Sequence, residues 1–161
     1  MTPIEQMEGA NAAGKQQFLS FQLGAEEYGI DILRVQEIRA YEKATRIPNT
    51  PEFIKGVINL RGVIVPVVDL RMKFGLETAD YNEVTVVVVL NVAGRTIGIV
   101  VDKVSDVLAL AESDIRPAPE FTSSVDNAFV RGLATLDQRM LIIADIERLM
   151  TGADMALAVV H

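Results

Sequence analysis

The chain has 161 residues, half of them hydrophobic and 23% charged, with a formal net charge of −7 and no cysteine. That length carries one domain or two very small ones around a real core. The acidic balance, with no Lys/Arg run, argues against general nucleic-acid binding, and the missing thiols exclude disulfides and thiolate metal sites.

Residues 1–14 lack the basic start and apolar stretch of a signal peptide and are expected to be a disordered tail. QFLSFQLG and EYGIDI then predict a hairpin around Gly24-Ala25. In DILRVQEIRA, residues 31–40, Ile32, Val35 and Ile38 fall on one face. VINL and VIVPVVDL predict a second hairpin, turning at Arg61-Gly62. Pro66 cannot donate to a ladder and is expected at an edge or a bulge. Asp69 precedes LRMKF, with Gly75 behind it, which predicts a short helix with an aspartate N-cap and a glycine stop. EVTVVVVLNV and RTIGIVVD form another hairpin around Ala93-Gly94. VDKVSDVLALAESD, carrying Asp102, Asp106 and Asp114, resembles a solvated face and a turn more than a metal site. IRPAPEF, residues 115–121, is stiffened by two prolines. GLATL and RMLIIAD join at Asp137-Gln138, and Asp145 opens a second capped helix, IERLMT. No apolar run is long enough to span a membrane.

The chain repeats itself. LGAEEYGIDILRVQEI matches VAGRTIGIVVDKVSDV at an offset of 69, aligning Glu37 with Asp106. IKGVINLRGVIVPVVDLRMKF matches VRGLATLDQRMLIIADIERLM at an offset of 76, aligning Asp69 with Asp145. Each unit contains about five strands, which predicts small barrels or sandwiches. A unit of about 65 to 70 residues is marginal alone, so two units sharing an interface are expected.

The inventory of residues rules out most enzymes. The only histidine is His161, so no Ser-His-Asp triad can form in the core, and no phosphate-loop motif is present. Asp69 and Asp145 could be imagined as an aspartyl dyad, but each is followed by a large apolar residue and not by small ones. No cofactor and no metal are expected. What remains is a binding surface. Arg61 aligns with Asp137, so the hairpin itself does not require an arginine there. Arg61 is either a plain turn residue or a cation with a specific partner, with Glu37 a candidate ion-pair partner within the chain. The apolar positions of residues 31–40 and 101–107 either fill the core or line a groove for a partner helix.

EEYGIDILRVQEIR, IPNTPEFIKGVINLRGVIVPVVDLR, GIVVDKVSDVL and IRPAPEF together resemble the CheW family of bacterial chemotaxis coupling proteins, over residues 16 to 152. The resemblance implies a mainly β fold of two SH3-like five-stranded barrels related by internal duplication, with short helices. The domain would span 15–152, the first barrel about 15–80 and the second about 81–152. A tail, 153–161, would follow, helical or frayed. It further implies a cytoplasmic adaptor without catalytic activity, monomeric when free. Such an adaptor joins the cytoplasmic tips of methyl-accepting chemoreceptors to the C-terminal regulatory domain of the histidine kinase CheA, in arrays beneath the inner membrane. Carried onto this sequence, receptor binding falls on Val35, Glu37, Gly56, Arg61, Val86, Val87, Gly98 and Val104. Kinase binding falls on Arg116, Glu120 and Phe121, and on Ala44, Ile47 and Ile64. An adaptor of the same type in a non-chemotactic receptor–kinase system is the alternative.

Overall fold

The structure, a computed structural model, describes residues 14–74, 81–117, 129–136 and 138–150. The expected tails and the residues Glu120, Phe121 and Asp137 lie outside them, apart from Gly14. The strands are β1 (Lys15–Leu23), β2 (Glu26–Asp31), β3 (Val35–Ala40), β4 (Ile54–Leu60), β5 (Val63–Asp69), β6 (Val86–Val92), β7 (Arg95–Val101), β8 (Lys103–Ala111), β9 (Ile115–Arg116), β10 (Val130–Leu136) and β11 (Arg139–Ala144). Among the described residues two short α-helices, α1 (Leu70–Lys73) and α2 (Ile146–Met150), follow β5 and β11. The mainly β expectation holds. Among the described residues no helix is long and apolar enough to cross a membrane.

The strands form a six-stranded sheet, ordered β8-β1-β2-β11-β10-β9, and a five-stranded sheet, ordered β3-β6-β7-β5-β4. These sheets do not divide near residue 80. The hairpin β1–β2 from the first half of the repeat joins the strands of the second half, through a parallel ladder between β2 and β11. Hairpin β6–β7 joins the strands of the first half in the same way, through β7 and β5. Each half thus gives its leading hairpin to the other. The sixth strand is the two-residue β9 on β10. In the five-stranded sheet its counterpart is a single bridge between Thr45 and Val57, with hydrogen bonds of 2.8 and 2.9 Å, where the curled sheet meets itself.

The exchange explains why the apolar runs are continuous. Strand β6 is covered on both faces, so its alternation disappears. Val87 and Val89 point into a core within the five-stranded sheet, with Ile58, Leu60, Val65, Val67 and Val100. Val88, Leu90 and Val92 point the other way, into a layer shared with Leu19, Phe21, Leu23 and Ile30 of the six-stranded sheet. A third core, around Phe18, Leu110, Leu141 and Ile143, lies within the six-stranded sheet. The middle layer welds the halves, as a pair of marginal units requires.

The hairpin turns fall where the small residues predict them. Ala93-Gly94 and Arg61-Gly62 both have two consecutive positive φ values, the geometry that suits the right-handed twist of a two-residue hairpin. Pro66 lies in β5, an internal strand. The ladder from β5 to β7 nevertheless begins at Val67, so Pro66 sits one residue outside it. Its missing N–H costs that ladder nothing.

Candidate partner-binding site

Arg61 sits at φ 51°, in the left-handed region. That conformation favours Gly, Asn or Asp and is uncommon for a long side chain. The turn is held in shape by Asn59, whose side-chain oxygen accepts from the Gly62 amide at 2.8 Å. From there the Arg61 guanidinium, 65% exposed, reaches across to β3 and pairs with the Glu37 carboxylate. Arg39 flanks Glu37 from two residues on, at 3.4 Å, and its Nε is buried without a hydrogen-bond partner. The ion pair expected from the sequence is therefore formed. Arg61 holds the Glu37 carboxyl below its ordinary value.

The second half repeats this arrangement with a shift. Asp106 on β8, the counterpart of Glu37, pairs with Arg139 at 3.1 Å and accepts from the Ser20 hydroxyl at 2.7 Å. Arg139, which opens β11, also pairs with Glu27. The second hairpin thus carries an arginine as well, not at Asp137, the position aligned with Arg61, but two residues beyond it. The signal was in the sequence, in a charged residue opening a strand that is otherwise apolar.

Arginine partners hold Glu37, Asp106 and Glu27 all below their ordinary values of 4.5, 3.8 and 4.5. A depressed carboxyl stabilises the fold fully above its unfolded value, and that contribution is lost as pH falls through the folded value. The melting temperature is expected to be flat from about pH 7 to about pH 5 and to fall below about pH 4. Thermal melts across that range check it. In Arg139→Gln the acid-side fall should be shallower, because two of the three carboxyls then titrate nearer their unfolded values.

A second charged cluster lies at the junction of the sheets. Asp69, at the end of β5, is fully buried and accepts from the Arg71 amide at 3.0 Å, the predicted N-cap bond. The same carboxylate grips the Arg71 guanidinium in a bidentate pair, from Nε at 3.0 Å and Nη2 at 2.9 Å. The Tyr81 hydroxyl donates to it at 2.6 Å. Arg71 is 1% exposed and extends to Asp102, at 2.9 Å. Asp102 in turn accepts from the Gly24 amide at 2.6 Å, in the turn of β1–β2. Burial opposes the charge on Arg71, but the Asp69 and Asp102 carboxylates outweigh it and keep the guanidinium protonated. Burial and Asp69 push the Tyr81 hydroxyl up, so it stays a donor. The three aspartates Asp102, Asp106 and Asp114 do not converge, for Asp114 caps the Ala111 amide at 2.8 Å. Asp102 and Asp106 each carry an ion pair, while exposed Asp106 and Asp114 lie on the solvated face and turn expected from the sequence.

The remaining positions expected to bind a receptor divide by burial. Val86 and Val104 are half-buried at the rim of the layer between the sheets. Val35, 7% exposed, belongs to that layer, and Val87, 1% exposed, lies inside the five-stranded sheet, so neither offers surface. Gly98 faces Val87, where a Cβ would lie 2.8 Å from the valine methyl. Gly56 has φ 134°, and a Cβ there would overlap the Thr45 carbonyl. All four lie in the interior. Gly56→Ala is expected to cost about 1–3 kcal/mol, a lowered melting temperature being the readout. Of the positions expected to bind a kinase, Ile64 is 60% exposed and Ile47 is exposed, while Ala44 is half-buried against the five-stranded core. The register puts Ile64 opposite Asn59 and Pro66 opposite Val57, on the outer face of β4–β5. Arg116 is exposed on β9, the far edge of the other sheet.

Known proteins share both the sequence and the fold of this chain. The family model described as the CheW-like domain matches residues 17–154. The chemotaxis protein CheW of Klebsiella aerogenes is 60% identical over 142 residues, 88% of this chain and 86% of that one. The probable chemotaxis protein CheW of Rhizobium etli is 36% identical, covering 84% of this chain and 88% of that one. Among solved structures, the scaffolding protein TtCheW of Thermoanaerobacter tengcongensis superposes with a TM-score of 0.79 at 36% identity, over 87% of this chain and 95% of that one. The chain belongs to the CheW-like family of chemotaxis scaffolding proteins.

Proposed function

We propose that this chain is a non-catalytic adaptor of the chemotaxis array, working in the cytoplasm beneath the inner membrane. It joins the cytoplasmic tips of methyl-accepting chemoreceptors to the C-terminal regulatory domain of CheA. The observation that carries this reading is Arg61, a long cation held in a left-handed turn that smaller residues fit better, and left exposed. Strain kept at an exposed position points to use. The receptor side consists of Glu37 and Arg61 with Val86 and Val104 at the rim, while Val35, Gly56, Val87 and Gly98 set its shape. The kinase side has two parts. One is the outer face of β4–β5 with Ile64, Ile47 and Ala44. The other is Arg116 with the Glu120 and Phe121 that follow it in sequence.

Pull-down of the purified chain on two baits tests this, using a receptor cytoplasmic fragment and the isolated regulatory domain of CheA. The native chain is expected on both. Arg61→Glu should lose the receptor bait, and Phe121→Ala should lose the kinase bait. A folded native chain that binds neither overturns the proposal.

A further inference from the structure

The charges around the β4–β5 hairpin are one-sided. From Lys43 to Val68 the chain carries four cations, Lys43, Arg46, Lys55 and Arg61, and a single carboxylate, Glu52. Arg61 is paired with Glu37, and Lys55 lies over the Tyr81 ring. Lys43 and Arg46 are exposed, and among the described residues neither has an ion-pair partner. Arg34, Arg39, Arg71, Arg131 and Arg139 all have one. The backbone fixes where the two free cations stand. Thr45 bridges Val57 in the antiparallel sense, and a Cβ at Gly56 would lie 2.9 Å from the Arg46 Cα. Lys43 and Arg46 therefore flank that bridge on the outer edge of β4, with β5 on its other side. Next to them the surface is apolar. Val63 and Ile64, which open β5, are each more than half exposed, and Ile47 follows Arg46 into solvent.

We propose that this surface takes a partner face with an apolar centre and a carboxylate rim, and that Lys43 and Arg46 steer that rim into place. An apolar patch edged by unpaired cations is complementary to an apolar patch edged by acids. Elsewhere the net charge of −7 repels an acidic partner, so the attraction at this edge also orients it. For the identity of the partner, the regulatory domain of CheA, this rests on the reading above. What is added is the chemistry that domain presents to the β4–β5 part of the kinase side. The other part differs, since Arg116 follows Glu112 and Asp114 in the chain and its surroundings are mixed in sign.

Association and dissociation rates of the full chain on the immobilised regulatory domain, measured by surface plasmon resonance, test this. Rim charges act on the association rate and its salt dependence. The native association rate is expected to fall by about tenfold or more from about 0.05 M to about 0.5 M salt. Lys43→Gln combined with Arg46→Gln should lower it by about tenfold at the lower salt, flatten its salt dependence and leave dissociation near native. Lys103→Glu makes the same change in net charge at an exposed position of β8 and should stay within about twofold of native. Ile64→Ala, in the apolar centre, should instead speed dissociation. Circular dichroism confirms that each variant is folded. Association indifferent to salt and to both cations overturns the proposal and leaves the adaptor reading standing. So does an equal fall in Lys103→Glu, which would trace the effect to net charge alone. A native chain that does not bind the domain overturns the adaptor reading, and the proposal falls with it.

Discussion

Asp69→Ala is expected to destabilise the protein by about 3–5 kcal/mol, because it strands the Arg71 guanidinium in the interior. Asp69 and Arg71 are 0% and 1% exposed at the side chain. Removing the carboxylate leaves that cation without its bidentate partner, the Tyr81 hydroxyl without its acceptor and the α1 amide without its cap. Asp145 provides the comparison inside the same molecule. It caps α2 through the Arg148 amide at 3.1 Å but is partly exposed. Loss of a cap alone costs about 0.5–2 kcal/mol, so Asp145→Ala should fall in that range. Chemical denaturation of both variants measures the difference. A double variant, Asp69→Ala with Arg71→Met, should recover part of the loss, since removing both charges removes the buried unpaired one. Equal costs at Asp69 and Asp145 would mean that the network adds nothing beyond capping.

The second large effect is on binding. Arg61→Glu should leave the melting temperature near that of the native protein and weaken receptor-fragment binding by about tenfold or more, the size of a lost interface hot spot. The pair it breaks is at the surface, where ion pairs contribute little to folding. The replacement places two carboxylates against each other where the site presents a guanidinium. Arg61→Gly separates geometry from charge. Glycine fits φ 51° without strain, so this variant should be at least as stable as the native chain and still be defective in binding. Titration calorimetry beside thermal melts reads both quantities. Unfolding of either variant would make Arg61 a structural residue.

What was legible in the sequence follows from what is local. Strand positions and hairpin turns depend on neighbouring residues, so QFLSFQLG, the Ala93-Gly94 turn and the Arg61-Gly62 turn could be placed. The exchange of hairpins could not, because β2 pairs with β11 across more than a hundred residues and nothing in EYGIDI names its partner. The Glu37–Arg61 pair was foreseen because both lie in motifs with an obvious charge. The Asp69–Arg71–Asp102 cluster was hidden by its own success as a helix cap, since Asp69 already had a sufficient explanation. The valines are the hardest case. In a strand buried on both faces, VTVVVVL carries no alternation, so Val86 at the rim and Val87 in the interior look alike.

The central claim is that one chain holds two partners at once. It is tested most directly by immobilising a receptor cytoplasmic fragment and adding the regulatory domain of CheA with and without this chain. Capture of the kinase domain that requires the chain, rises with its concentration and fails with Arg61→Glu is the predicted result. Capture that is unchanged by the chain, or that falls because the chain competes for the receptor, would contradict it.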